Sequence, residues 1–300
     1  MLVLVTGAAG FLGRQLVECL AASGYDVRAV DRCRAPEEWI SNSRVRWIQR
    51  DLARESLSVE EVLGVDSVLH LAGATLGAGE DESVFLNANE ATLVHLLRSC
   101  AGRINKFILA SSQVVYGNVN HLAVTEEFPL EGIDSAYACS KLNSENWLRW
   151  FQRKHRGHYV ALRFCGFLEG GGAIEYMVER ALCHEPIELH SSGRVCRDYL
   201  PVEKSNDAFL AALRIEEVHA FEAFNVGSGQ IVTALEIAKM ICAETGSRSA
   251  VVPIDRVASR ANFVFDISKA VAKLGFHPGV LTDEIRAYAH KRLRIAAEDE

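Results

Sequence analysis

Leu2-Val3-Leu4-Val5-Thr6-Gly7-Ala8-Ala9-Gly10-Phe11-Leu12-Gly13 opens the chain. The apolar run Leu2–Val5 predicts a strand, and Leu12–Ser23 carries the helical period and stops at Gly24. Between them the glycines let the backbone turn tightly and let a diphosphate approach a helix N-terminus, where free N–H groups and the helix dipole favour anions. Gly7, Gly10, Phe11, Leu12 and Gly13 are therefore candidate cofactor contacts, with Gly13 also allowing helix and strand to pack closely.

Strand-like and helix-like segments alternate outward from this loop. Asp26–Val30, Val45–Ile48, Ser67–Leu71, Lys106–Ala110 and Tyr159–Phe164 read as strands, and Ser83–Cys100 and Tyr137–Lys154 as helices. Such alternation predicts an α/β fold with a doubly wound parallel sheet of the Rossmann type. After Phe164 the pattern changes. Glu169-Gly170-Gly171-Gly172 reads as a turn or flexible loop. Ile174–Cys183, Asp207–Arg214, Ala234–Thr245, Ile267–Leu274 and Thr282–Arg294 read as helices, with one strand at Ala223–Val226. The expected organisation is a dinucleotide-binding domain over 1–165, with 195–230 returning to it. A smaller interleaved C-terminal lobe, mainly for substrate, covers 166–300.

Asp31 ends the second strand, where a carboxylate would accept hydrogen bonds from the adenosine ribose of NAD and repel a 2′-phosphate. The neighbouring Arg32 and Arg34 could receive that phosphate, so NAD is the expected cofactor and NADP the alternative. Asp51-Leu52 and His70-Leu71-Ala72-Gly73 follow the third and fourth strands, at ends that face a cofactor crevice. Asp51 could accept from an adenine amino group, or be a surface loop aspartate.

Tyr137 and Lys141 are four residues apart, on one face of a helix. For a tyrosine to exchange protons near neutrality its pKa must fall from about 10, roughly 4 kcal/mol for three units. One ammonium at about 4 Å supplies around that much at an effective dielectric near 20. Ser112, just after a strand, can hold a reacting hydroxyl in line with the tyrosine. Taken singly, a helical tyrosine is more often core and such a serine is as often a turn residue.

The Thr6-Gly7…Gly10…Gly13 loop, Ser111-Ser112-Gln113-Val114-Val115-Tyr116-Gly117 and Tyr137…Lys141 together resemble the NAD-dependent epimerase/dehydratase group of the extended short-chain dehydrogenase/reductases. The resemblance continues through Arg197–Val202, Phe224–Gly229 and Asp266–Ala270, and so spans nearly the whole chain. It implies that Ser112 orients the substrate hydroxyl, that Tyr137 exchanges its proton, and that Lys141 lowers the tyrosine pKa and holds the nicotinamide ribose. It further implies that Asn89 is a structural, cofactor-side asparagine, with Asn87 the other register. Arg197 and Arg256 match positions that grip a substrate diphosphate, a task suited to a planar, permanently charged side chain. Homodimerisation through Ser83–Cys100 and Tyr137–Lys154 is implied as well, with Trp147, Trp150 and Phe151 able to contribute apolar area there or in the core.

Two departures narrow the expectation. Where the family's dehydratases place Asp-Glu after the catalytic serine or threonine, this chain has Gln113-Val114, and valine cannot carry the proton that elimination or decarboxylation requires. Gln113 instead joins Ser112, Arg197 and Arg256 as a candidate substrate contact. Where the family often has asparagine after Arg163-Phe164-Cys165, this chain has Gly166, which puts the usual diphosphate-sugar grip in doubt. The expected activity is NAD-dependent 4-epimerisation of a nucleotide sugar through a transient 4-keto intermediate. The alternatives are an NAD(P)H-dependent 4-ketosugar reductase and a non-catalytic dinucleotide sensor.

The bulk numbers agree with a globular enzyme. Of 300 residues, 49% are apolar and 24% charged, and the net charge is −7, with no basic run to suggest nucleic acid. Leu2–Val5 is too short for a signal peptide core or a membrane span. The eight cysteines include no Cys-x-x-Cys pair and read as reduced thiols, not a disulfide framework or metal site. A cytoplasmic protein without membrane or nucleic-acid partners, acting on a small molecule, is expected.

Overall fold

The computed structural model describes residues 1–216, 219–255 and 262–298. A seven-stranded sheet runs in the order Phe221–Val226, His158–Phe164, Lys106–Ser112, Ser67–His70, Leu2–Thr6, Asp26–Asp31, Val45–Gln49. Every neighbouring pair is parallel. This is the doubly wound Rossmann arrangement. The chain leaves Leu2–Thr6 towards one edge, then returns and builds towards the other, which opens a crevice at the carboxyl ends of Leu2–Thr6 and Ser67–His70. The central strands are buried on both faces, and so their sequences read as near-continuous apolar runs.

One face is covered by the helices Phe11–Ala22 and Val202–Arg214, which meet the sheet through Leu16, Leu20, Phe209 and Leu213. The other is covered by Thr92–Cys100 and Ala136–Gln152, through Leu93, Leu97, Leu148 and Phe151. A separate apolar cluster around Met177, Ile237 and Ile285 joins the helices Ala173–Leu182, Ala234–Thr245 and Leu281–Glu298.

Three short parallel pairs lie outside the main sheet: Gly166–Phe167 with Tyr199–Leu200 sits between the two clusters, Ile187–Leu189 with Val251–Pro253 belongs to the second cluster, and His121–Val124 with Phe263–Phe265 packs into the core of the main sheet. Each strand has two to four residues, too few for a period to show in the sequence.

Two helices differ from expectation. The segment expected from Asp207 begins at Val202, because Pro201 occupies the N-cap position and the polar Ser205 and Asn206 are buried rather than exposed. The segment expected over Ser83–Cys100 is helical throughout but is not one α-helix. Leu86–Ala91 is wound as a π-helix between Glu82–Phe85 and Thr92–Cys100. Among the described residues no helix is long and apolar enough to cross a membrane.

Candidate active site

The strand Leu2–Thr6 ends in Gly7 at φ +68°, and a Cβ there would lie 2.6 Å from the Ala72 nitrogen. The glycine loop and the loop after Ser67–His70 are thus in direct backbone contact. At Gly13 a Cβ would stand 2.0 Å from the Gly7 carbonyl oxygen, so only glycine lets the helix start against the loop. Gly10 is the N-cap of the twelve-residue helix Phe11–Ala22. No side chain caps it and no acidic residue lies in its first turn. That helix end fits a diphosphate: its backbone donors are not claimed by a side chain, and nothing nearby on the helix repels an anion.

Asp31 is held over this loop, accepting from the Ala9 N–H at 3.0 Å and from the Cys33 N–H at 3.1 Å. Each carboxylate oxygen keeps a lone pair for a further donor. Arg32 and Arg34 are exposed beside it. Asp51 accepts from the Ala53 N–H at 3.1 Å and pairs with Arg54 at 3.4 Å, while the adjacent Leu52 is buried.

Under the crevice, Thr6 Oγ1 lies 2.7 Å from His70 Nδ1 and accepts from the Ala72 N–H at 3.3 Å, which fixes Leu71-Ala72-Gly73. The buried Asn89 accepts from the Ala74 N–H at 2.6 Å and donates to Ser140 Oγ at 2.7 Å, tying this loop to the helix that carries Tyr137 and Lys141. Asn87 is exposed and donates to the Ser83 carbonyl oxygen. The wide π turn is what aims Asn89 inward.

Ser112 ends its strand as the N-cap of the turn Gln113–Tyr116, where its Oγ accepts from the Val114 N–H at 3.4 Å. The helix Ala136–Gln152 starts at Ser135, whose Oγ accepts from the Ala138 N–H at 3.1 Å, and it presents Tyr137 and Lys141 on successive turns. Lys141 Nζ sits 5.8 Å from the centre of the Tyr137 ring and donates to the Ala110 carbonyl oxygen at 2.9 Å. Phe85 packs against the tyrosine ring at 6.0 Å between ring centres. Lys141 is only 9% exposed; burial pushes its pKa down to about 8, against the opposing pull of the Glu145 carboxylate. At pH 7 it therefore remains mostly an ammonium.

Beyond Ser112 lies a cleft of about 730 Å³ between the sheet's carboxyl edge and the second cluster of helices, lined by Gln113, Gly166, Tyr176, Arg197 and Tyr199 among others. The Gln113 Oε1 is buried there without a hydrogen-bond partner. The Arg197 guanidinium stacks 5.2 Å over Phe263. Its neighbour Asp198 is buried and accepts from Ser228 Oγ at 2.6 Å and from the N–H groups of Ser228, Gly229 and Phe265, which fixes the segment bearing Arg197. At Gly166 a Cβ would lie 3.2 Å from the Tyr199 ring, which fills the place a larger side chain would take. Arg256 lies outside the described residues.

The description of a known protein family, the NAD dependent epimerase/dehydratase family, matches residues 3–227. The chain belongs to that family. Curated relatives include a putative UDP-glucose 4-epimerase of Methanocaldococcus jannaschii, 26% identical over 93% of this chain and 94% of the relative. A dTDP-4-dehydro-6-deoxy-D-allose reductase of a Streptomyces species is 28% identical over 92% and 91%. Among solved structures, MoeE5 in complex with UDP-glucuronic acid and NAD is 28% identical, with a TM-score of 0.80 over 97% of this chain and 99% of that one.

One group in this family member is not singled out by sequence motifs. Glu145 follows Lys141 by one helical turn and is fully buried. It accepts from Ser111 Oγ at 2.7 Å, from Arg163 at 2.9 and 2.7 Å, and from Arg149 at 3.2 Å. Arg163 reaches on to the Tyr116 hydroxyl at 2.7 Å, and that hydroxyl donates to Asn225 Oδ1 at 2.6 Å. The available signal was the spacing Tyr137, Lys141, Glu145 on one face, which i,i+4 salt-bridge chemistry explains equally well.

Proposed function

We propose that this enzyme is a nucleotide-sugar 4-epimerase working through a transient 4-keto sugar, with Ser112, Tyr137 and Lys141 as its catalytic set. The observation that carries the reading is convergence. The tyrosine–lysine pair, the strand ending in Ser112 and the uncapped glycine-loop helix all meet at the sheet's carboxyl edge, beside a cleft large enough for a sugar nucleotide. NAD, held by Gly7, Gly10, Phe11, Leu12 and Gly13 at its diphosphate, by Asp31 at its ribose, and by Asp51, Leu52, Leu71, Ala72, Gly73 and Asn89 along the crevice, supplies the hydride acceptor. Asp31 disfavours a 2′-phosphate.

In this reading Ser112 Oγ aligns the sugar hydroxyl, and Tyr137 takes its proton as the carbon–hydrogen bond is broken. The buried Lys141 ammonium, one turn away, favours the phenolate form of Tyr137 that accepts this proton. After the sugar has turned over in the cleft, the same hydride would return to the opposite face of the keto carbon while Tyr137 returns the proton to its oxygen, which gives the inverted alcohol with no net change in the cofactor. Gln113 and Val114 carry no ionisable group, so the water-eliminating route has no proton donor at these positions. Arg197, and Arg256 from the resemblance, grip the diphosphate of the substrate.

A ketosugar reductase is the second reading, favoured by the reductase among the relatives. Residues 1–165 with 195–230 form the cofactor part and 166–300 mainly the substrate part. We place the enzyme in the cytoplasm as a homodimer.

Purified enzyme incubated with UDP-, dTDP-, GDP- and CDP-hexoses tests the reading. The expected result is conversion of one sugar to its 4-epimer with NAD retained and no net NADH. The variant Tyr137→Phe should lose at least about a thousandfold in kcat while still binding NAD. Stoichiometric consumption of added NADH or NADPH with a 4-ketosugar would replace epimerase by reductase, and full activity in Tyr137→Phe would remove the mechanism.

A further inference from the structure

The catalytic helix meets the strand that bears Ser112 through two side chains one turn apart. Lys141 Nζ donates to the carbonyl oxygen of Ala110, and Glu145 accepts from the hydroxyl of Ser111. Consecutive strand residues are thus bound by successive turns of the helix, which fixes the helix against sliding. The Glu145 carboxylate is then completed by Arg163 from the neighbouring strand and by Arg149 from its own helix.

A buried ion pair is weak support for stability, since apolar residues of similar volume often do as well. Its position offers another purpose. Lys141 lies where burial favours loss of its proton, and Glu145 is the charge that opposes that loss. The other titratable groups near Lys141 do not. His70, from the adjacent strand Ser67–His70, is held neutral by burial with its pKa near 3. Arg149 and Arg163 are bound to Glu145 itself.

We propose that Glu145 is a positioning residue of the proton-transfer site: its carboxylate, fixed between Ser111 and Arg163, keeps the Lys141 ammonium charged and seated on Ala110, where it can act on Tyr137. This rests on the reading of Ser112, Tyr137 and Lys141 as the catalytic set, but its test does not require turnover.

The titration midpoint of Lys141 can be followed in the unliganded enzyme through its ¹³Cε resonance, assigned with Lys141→Met. Glu145→Gln should lower the midpoint by about one pH unit. Glu145→Asp, which keeps the charge, should stay near the parent value. Arg149→Gln removes a partly exposed cation that competes for the carboxylate, leaves no buried orphan guanidinium, and should raise the midpoint by a few tenths of a unit. An unmoved midpoint in Glu145→Gln overturns the proposal, as does an equal fall in Glu145→Asp. Should Glu145→Gln not fold, an unmoved midpoint in Arg149→Gln overturns it instead. A chain inactive on every nucleotide sugar would sink the catalytic reading and leave these titrations standing.

Discussion

His70 shows what burial of one ring does to the whole enzyme's response to acid. Its imidazole is enclosed beneath the cofactor crevice, with Thr6 as partner, and burial followed by repulsion from Lys141 lowers its pKa from 6.5 to about 3. The folded enzyme therefore refuses a proton that the unfolded chain accepts. Stability from this group is fully present above pH 6.5 and falls by about 1.4 kcal/mol per unit as the pH drops towards 3. Between pH 7 and pH 5 the loss is about 2 kcal/mol. Thermal melts at those two pH values should show it, and His70→Gln should flatten the difference; an unchanged difference would place the acid sensitivity elsewhere. At this scale the sequence was partly legible. Asp31 and the Tyr137–Lys141 spacing carry their chemistry in their positions. Arg149 apart, the partners of Asn89, Glu145 and Asp198 lie 15 to 67 residues away and follow only from the fold.

At the scale of elements, the glycine loop was the most readable part of the chain, because its spacing is a direct record of backbone crowding. The crowding at Gly13 gives a sharp expectation. Gly13→Ala forces a methyl group against the Gly7 carbonyl oxygen, so the loop or the helix must shift. We expect about 3 kcal/mol of destabilisation and at least a tenfold loss of NAD affinity, measured by denaturant unfolding and by NAD titration. The sheet strands were legible from their apolar runs, and three of them extend to Thr6, Ser112 and Phe221 where polar or turn-like residues had suggested an end. The π turn at Leu86–Ala91 was not legible, since a wider turn leaves helix-forming residues in place and alters only which of them face inward.

Across the whole molecule, the exposed apolar surface bears on assembly. Trp147 and Trp150 are 36% and 48% exposed and stand edge to face on the helix Ala136–Gln152. Leu86, on the adjoining helical segment, is also exposed. Phe151 is buried and belongs to the core rather than to this surface. If this face joins two copies, Trp150→Glu should convert a dimer to a monomer in sedimentation velocity without changing the far-ultraviolet spectrum. A parent protein that already sediments as a monomer would refute the homodimer. The second apolar cluster was visible only as a change of pattern after Phe164, because the short strands around it carry no period.

The last sheet strand to be made, Phe221–Val226, pairs with one completed some sixty residues earlier. A ribosome-bound chain must therefore hold His158–Phe164 with one bare flank until the segment beyond it emerges, and any message truncated between the two would release a product with a sticky, unpaired border. Cutting this enzyme into a nucleotide module and a sugar module at the obvious change of pattern would make the same fragment.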